Sequence, residues 1–280
     1  MSSRHRYEVL DVFTDTPLEG NQLAVFPQAP AWSTREMQRL ARELNLSETV
    51  FVFAPEQGGD ARVRIFTPFA ELPFAGHPVL GTAVTVGLER GLEQVMLETG
   101  AGPVAVALRD RVERGAYGTM QQPVPSWGPY ERAAELLTAL GVERSGLPVE
   151  AYVNGPRHVY VELETEDAVV ALAPDLRALL ALGELGVSCF AGAGMSWKTR
   201  MFAPGLGVSE DPATGSAAGP LAVHLARHGR IAFGEQIEIR QGAEVGRPSL
   251  LNARAVGSAD ALERVEVGGS AVIVARGEFL

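Results

Sequence analysis

The sequence predicts an α+β protein of two similar lobes, each carrying mostly antiparallel strands and one buried central helix. Three observations support this. First, Arg64-Ile-Phe-Thr-Pro68 returns about 136 residues later as Arg200-Met-Phe-Ala-Pro204, and each copy is followed by a turn, a Gly-polar pair (Gly76-His77, Gly215-Ser216) and an apolar helix. That period is too long for a solenoid unit and suits two copies of one domain. Second, short strands succeed one another through tight turns, which favours antiparallel pairing because parallel neighbours need a crossover. Third, the helices after Gly76 and Gly215 are small and apolar all round, a pattern of burial. The lobes are expected at 1–124 and 125–280, with the last strand a candidate to return to the first lobe.

In order, Tyr7–Phe13 and Gln22–Phe26 read as a hairpin around the turn Pro17-Leu-Glu-Gly-Asn21. Met37, Leu40, Ala41 and Leu44 recur at helical spacing behind a Ser33 or Thr34 cap, and this helix ends near Asn45. Thr49–Phe53 and Ala61–Thr67 are β-rich strands, and the first buried helix covers His77–Glu89. Strands follow at Val95–Glu98, Gly102–Leu108 and Ala116–Gln121. Pro123–Pro129, with three prolines and a glycine, reads as the interlobe linker.

The second lobe opens with a helix over Tyr130–Leu140 and strands at Ala151–Val153 and His158–Glu162 around the Asn154-Gly-Pro156 turn. Pro174 splits Ala168–Leu182 into two short helical pieces. Strands are expected at Gly186–Ala191, Lys198–Phe202, Gln236–Gln241, Leu250–Val256 and Ser270–Arg276, and the second buried helix is closed by Gly229.

At 280 residues the chain can bury a core in each lobe. Its net charge of -10 argues against nucleic acid or an anionic membrane as partner. No apolar run approaches a membrane span and the start carries no secretory signal, so a cytoplasmic location is expected. The single cysteine, Cys189, excludes an internal disulfide and reads as a small core residue.

Several chemistries fail on their residues. The Gly207–Ser216 stretch has no lysine before Ser216, as a phosphate-binding loop needs, and Gly192-Ala-Gly194 lacks the third glycine of a dinucleotide fingerprint. No G-x-S-x-G elbow is present. His224 and His228 stand at i, i+4, but no carboxylate or cysteine is paired with them by spacing, so they read as helix-face histidines and no metal is expected.

What remains is acid-base chemistry on Glu48, His77, Asp211 and Ser216. The starts of the two buried helices favour an anion, because their first N–H groups lack intrahelical partners and the dipole is positive there. Asp211, Thr214 and Ser216 are also ordinary capping types, so both readings stand from the residues alone. Glu48 sits between Leu46 and Val50-Phe51. In an apolar pocket its pKa would rise toward the range of a general base; on a solvent-facing loop it would not. His77 is either a helix cap or a second proton carrier. Two lobes presenting equivalent helix starts to each other would form one small-ligand cleft.

The blocks Leu18-Glu-Gly-Asn21, Asn45-Leu-Ser-Glu48, Phe74-Ala-Gly-His-Pro78 and Glu210-Asp-Pro-Ala-Thr-Gly-Ser-Ala217 resemble the PhzF-like family of phenazine biosynthesis, from about Tyr7 to the end. Asn154-Gly-Pro-Arg-His158, Cys189-Phe-Ala-Gly-Ala-Gly194 and Gly219–Gly229 extend the likeness to the phenazine branch. The resemblance implies a diaminopimelate epimerase-like fold, each lobe a curled sheet around its central helix. It also implies a cofactor-free homodimer that isomerises trans-2,3-dihydro-3-hydroxyanthranilate. By it, Glu48, His77 and Asp211 are the catalytic candidates, and Asn21, Gly76, Gly215 and Ser216 the substrate-binding ones. Ala75 and Thr214 stand where the epimerase relatives carry cysteines, which disfavours two-thiol racemisation. Gln121 departs from the pattern where an acid is expected. A related isomerase or epimerase on another small acid, or a non-catalytic aromatic-acid binder, are the alternative readings.

Overall fold

The computed structural model describes residues 4–280. By internal contacts the chain divides into two units, residues 4–121 with 268–280, and residues 122–267.

In the first unit β1 (His5–Val12) and β2 (Asn21–Phe26) form the expected antiparallel hairpin, with Val12 opposite Asn21. Helix α1 (Thr34–Leu44) starts with a capping box: Ser33 Oγ accepts from the Glu36 N–H, while the Glu36 carboxylate accepts from the Ser33 N–H at 2.8 Å. It ends at Asn45 in the left-handed region. Behind α1, β3 (Glu48–Phe53) lies parallel to β2. Then come β4 (Ala61–Phe66), the short β5 (Glu71–Leu72), α2 (Gly76–Arg90) and β6 (Gln94–Thr99), which is parallel to β4. The antiparallel β7 (Gly102–Val112) and β8 (Gly115–Gln122) follow.

The second unit repeats this logic. After β9 (Ser126–Pro129) and α3 (Ala133–Leu140) come the hairpin β10 (Glu150–Val153) and β11 (Arg157–Glu162). The helical pieces α4 (Glu166–Val170) and α5 (Leu176–Leu180) cross over to β12 (Gly186–Ala193), parallel to β11. Strands β13 (Ser196–Ala203) and β14 (Val208–Asp211) lead to α6 (Gly215–Arg227), and β15 (Gln236–Gln241) returns parallel to β13. Then come β16 (Ser249–Gly257) and β17 (Leu262–Phe279), whose last residues pair with β1.

Most strand pairs are antiparallel, as expected. The parallel pairs described occur where helix or a longer crossover intervenes, which is the condition parallel neighbours impose. The repeated pentapeptides have a shared structural role. Arg64 of β4 grips Glu71 with two hydrogen bonds of 2.7 and 2.6 Å, and Arg200 of β13 grips Glu210 with two of 2.8 Å. In each copy a two-pronged ion pair ties the strand to the short strand that precedes the buried helix. Residues Gly76–Gly87 of α2 and Gly215–Ala226 of α6 are all buried, so both helices lie in cores rather than on surfaces.

Three expectations on element extent are corrected. Ser126–Pro129 is not linker but strand β9, paired with β10, because Trp127 stacks on Tyr152 with ring centroids 6.0 Å apart. The helix expected from Tyr130 starts at Ala133, since the Tyr130 N–H is taken by the carbonyl of Val149. The last strand is 18 residues long rather than the seven of Ser270–Arg276. No helix among the described residues is long and apolar enough to cross a membrane.

Candidate active site

The first unit brings three of the sequence-predicted residues together. Asn21 opens β2, Glu48 opens β3 beside Leu23, and His77 lies in the first turn of α2. The turn before Asn21 is tightly specified: Phe13, Leu18 and Gly20 all have left-handed backbones, and the Asp11 carboxylate accepts from the Leu18 N–H at 2.7 Å. A Cβ on Gly20 would stand 2.5 Å from the carbonyl oxygen of Val12, so only glycine fits. Such left-handed non-glycine residues concentrate where a site needs a fixed chain path.

His77 sits between the other two. Asn21 Nδ2 lies 3.4 Å from His77 Nδ1, and His77 Nε2 lies 3.0 Å from Glu48 Oε2. An amide nitrogen can only donate, so Nδ1 accepts and the ring proton is on Nε2, close to the Glu48 carboxylate but not aligned with it as a hydrogen bond. His77 is buried, and the Glu48 side chain is 15% exposed. Glu48 is therefore neither in a purely apolar pocket nor on a solvent-facing loop: it is a largely buried carboxylate with an imidazole nitrogen 3.0 Å away.

In the second unit β14 ends at Asp211 and α6 begins at Gly215. Thr214 Oγ1 donates to Asp211 Oδ2 at 2.5 Å, and Gln241 fixes the turn, donating to Asp211 O at 2.7 Å and to Thr214 Oγ1 at 3.0 Å. The N-cap residues of α6 and α2, Thr214 and Ala75, make no side-chain cap hydrogen bond. The capping alternative for Thr214 thus gives way: its hydroxyl bonds to Asp211, and the helix start keeps the amide-rich character that suits an anion. Gly215 and Ser216 form the first turn, Ser216 is buried, and Ser216 Oγ lies 3.0 Å from His158 Nε2.

That turn is held by side chains to which the sequence assigned no role. Gln122 Nε2 donates to Gly215 O at 2.7 Å, Asn154 Nδ2 to Ser216 O at 3.0 Å, and Tyr160 Oη to Ala217 O at 2.7 Å. The Asn154 contact has a local cause. Pro220 lies inside α6 and lacks an N–H, so the Ser216 carbonyl four residues earlier has no helical partner and takes one from Asn154. A proline at that offset was the available signal for such a partner. Gln122, rather than its neighbour Gln121, is the buried member of the pair.

His224 and His228 gain a partner that spacing could not reveal. Glu150 of β10 brings a carboxylate to within 3.3 Å of His224 Nδ1 and 3.0 Å of His228 Nε2, so the three offer clustered ligand atoms. Arg227 donates to the same carboxylate at 2.6 Å and also to the Tyr152 hydroxyl, so a cation already balances the cluster. Burial alone would push the Glu150 carboxyl up, but the Arg227 and His228 hydrogen bonds bring it to about 2. Burial, with the neighbouring His228, pulls His224 down to about 4. Cys189 is buried and, by that burial, its thiol is pushed up to about 12, well removed from thiolate chemistry.

Two units, each with a sheet and a buried helix whose uncapped start carries polar groups, define a class. It is the α+β fold of diaminopimelate epimerase-like and proline racemase-like proteins. A hydroxyproline epimerase from Agrobacterium vitis superposes over 99% of this chain and 91% of its own, with TM-score 0.63 and 14% identity. A PhzF-family protein from Bacillus anthracis superposes over 99% of both chains, with TM-score 0.86 and 23% identity. Within that class, the model of the phenazine biosynthesis-like (PhzC-PhzF) family matches residues 10–277, and the chain belongs to this family. It is 54% identical over 273 residues, 98% of each chain, to the trans-2,3-dihydro-3-hydroxyanthranilate isomerase of Pseudomonas aeruginosa.

Proposed function

We propose that the chain is a cofactor-independent isomerase of trans-2,3-dihydro-3-hydroxyanthranilate, moving a proton from C3 to C1 with Glu48 as the acid/base. The observation that carries the reading is the Asn21–His77–Glu48 arrangement, in which a buried imidazole beside Asn21 brings Nε2 to 3.0 Å from a largely buried carboxylate. Near-full-length identity of 54% to a relative of that name supports the choice of substrate.

The substrate carries a carboxylate on C1, an amine on C2 and a hydroxyl on C3. The Glu48 carboxylate takes the C3 proton, the ring double bonds shift, and a proton is returned at C1. The C3 hydroxyl is then an enol, which becomes a ketone. A positioned acid/base contributes about 10² to 10⁴ in rate, and a fixed geometry supplies the rest. The His77 N–H steadies the ionised carboxylate between transfers. Gly76, Gly215 and Ser216 serve as substrate contacts through helix-start amides and a hydroxyl, and Asp211 takes the amine. A cytoplasmic homodimer of about twice 29.8 kDa is the proposed assembly, which sedimentation checks.

The test is incubation with trans-2,3-dihydro-3-hydroxyanthranilate while its loss is followed. Wild-type protein should consume it, and Glu48→Gln, which keeps the shape, should lose about 10²-fold or more in kcat while still binding. Binding without turnover by the wild type makes the chain a binder rather than an isomerase. Undiminished turnover by Glu48→Gln removes Glu48 from the proton path.

A further inference from the structure

Ser216 is the one hydroxyl in the first turn of α6, and its usefulness to an anion depends on where its hydrogen points. A serine hydroxyl has one hydrogen to give and lone pairs to receive. Its neighbour, His158 of β11, stands opposite Gly186 of β12, and a Cβ on Gly186 would come within 2.8 Å of His158 Nδ1, so the strand is bare there to admit the ring. The ring is buried; Nε2 lies 3.0 Å from Ser216 Oγ, and among the described residues Nδ1 has no hydrogen-bonding partner.

A buried N–H without an acceptor is rarer than a buried lone pair without a donor. The proton therefore sits on Nε2, where it has the serine oxygen to bond to. Because burial pulls His158 down to about 4, the ring stays neutral near pH 7 and carries a proton on one nitrogen only.

We infer that His158 is a positioning residue for the reaction: its Nε2–H donates to Ser216 Oγ and so turns the serine's own hydrogen outward as a donor to the substrate's anionic group. The inference rests on the reading of Ser216 as a substrate contact. In the opposite tautomer the serine would give its hydrogen to the ring and present only lone pairs, which repel an anion. The Asn154 and Tyr160 bonds to the neighbouring carbonyls hold the turn without acting on this hydroxyl, so the direction of its hydrogen is set by His158 alone among them.

The test combines a mutant cycle with a direct reading of the tautomer. Ser216→Ala and His158→Leu should each raise KM and lower kcat/KM about 10- to 100-fold, the worth of one hydrogen bond to a charged group. The double variant should be no worse than the more damaging single one. His158→Gln, whose amide N–H reaches the place of Nε2, should recover most of the loss, whereas His158→Asn, one atom shorter, should not. In ¹⁵N-histidine-labelled wild-type protein, the His158 signals, identified by their absence in His158→Gln, should show a protonated Nε2 and a bare Nδ1. A protonated Nδ1, or losses that add in full in the double variant, overturns the inference while leaving Ser216 a substrate contact. A silent Ser216→Ala overturns both.

Discussion

Among single residues, the histidines divide by what faces their nitrogens. His77 bridges an amide and a carboxylate and is placed to steady charge, whereas His158 and His224 are buried and pulled down to about 4. A histidine in an unfolded chain titrates near about 6.5, so in both cases the folded value is the lower one. The unfolded state then binds more protons between pH 6.5 and 4, and the stability is present above 6.5 and lost as pH falls toward 4. The Glu150 carboxyl, held at about 2, adds a further loss below its ordinary value of 4.5. Denaturant midpoints should therefore decline from pH 6.5 downward, and His158→Gln should flatten that decline by about one proton's worth of slope. An unchanged slope would mean that His158 titrates alike in both states. Because Arg227 already balances Glu150, dialysis against a chelator should leave turnover unchanged; a loss restored by a divalent metal would reassign Glu150, His224 and His228 as ligands.

At the level of elements, α6 shows how a helix with a proline in its sixth position stays intact. Pro220 deprives the Ser216 carbonyl of its partner, and Asn154 supplies one from a neighbouring turn. Asn154→Leu should cost about 1 to 3 kcal/mol in urea unfolding, because a buried carbonyl loses its donor. Pro220→Ala in the same background should restore part of that, since residue 220 regains an N–H for the same carbonyl. If the second substitution gives nothing back, Asn154 acts through some other contact. Gly219 has a related role: a Cβ there would lie 2.4 Å from Gln122 Oε1 and 2.6 Å from Val265 Cγ1. Gly219→Ala should therefore cost about 1 to 3 kcal/mol, because Gln122 must leave the Gly215 carbonyl to make room.

For the whole molecule, the fold is shared with a hydroxyproline epimerase, so chemistry is decided by the side chains placed on it. In this chain the single thiol is buried in β12 and pushed up to about 12. A racemisation through paired thiols has no group to run on. Proline or hydroxyproline incubated with the protein in deuterated water should thus show no exchange at the α-carbon, and exchange above background would point to an epimerase instead.

Much of this was legible beforehand. The repeated pentapeptides, the hairpin at Asn21 and the two buried helices mark themselves by periodicity and turn chemistry, which are local properties of the chain, and the family's sequence blocks put Glu48, His77, Asp211 and Ser216 forward as site candidates. The Pro123–Pro129 segment misled because composition says linker while a tertiary contact, Trp127 on Tyr152, makes part of it a strand. The sequence by itself determined the α+β class, the two-copy plan and the residue types available for acid-base work. Only the tertiary structure decided that His77 meets Glu48, that Thr214 binds Asp211 instead of capping its helix, and that His158 lies against Ser216. The first and last of these pairs join strands and turns far apart in the chain, the second joins two ends of one turn, and the direction of a hydrogen bond depends on which groups folding places face to face.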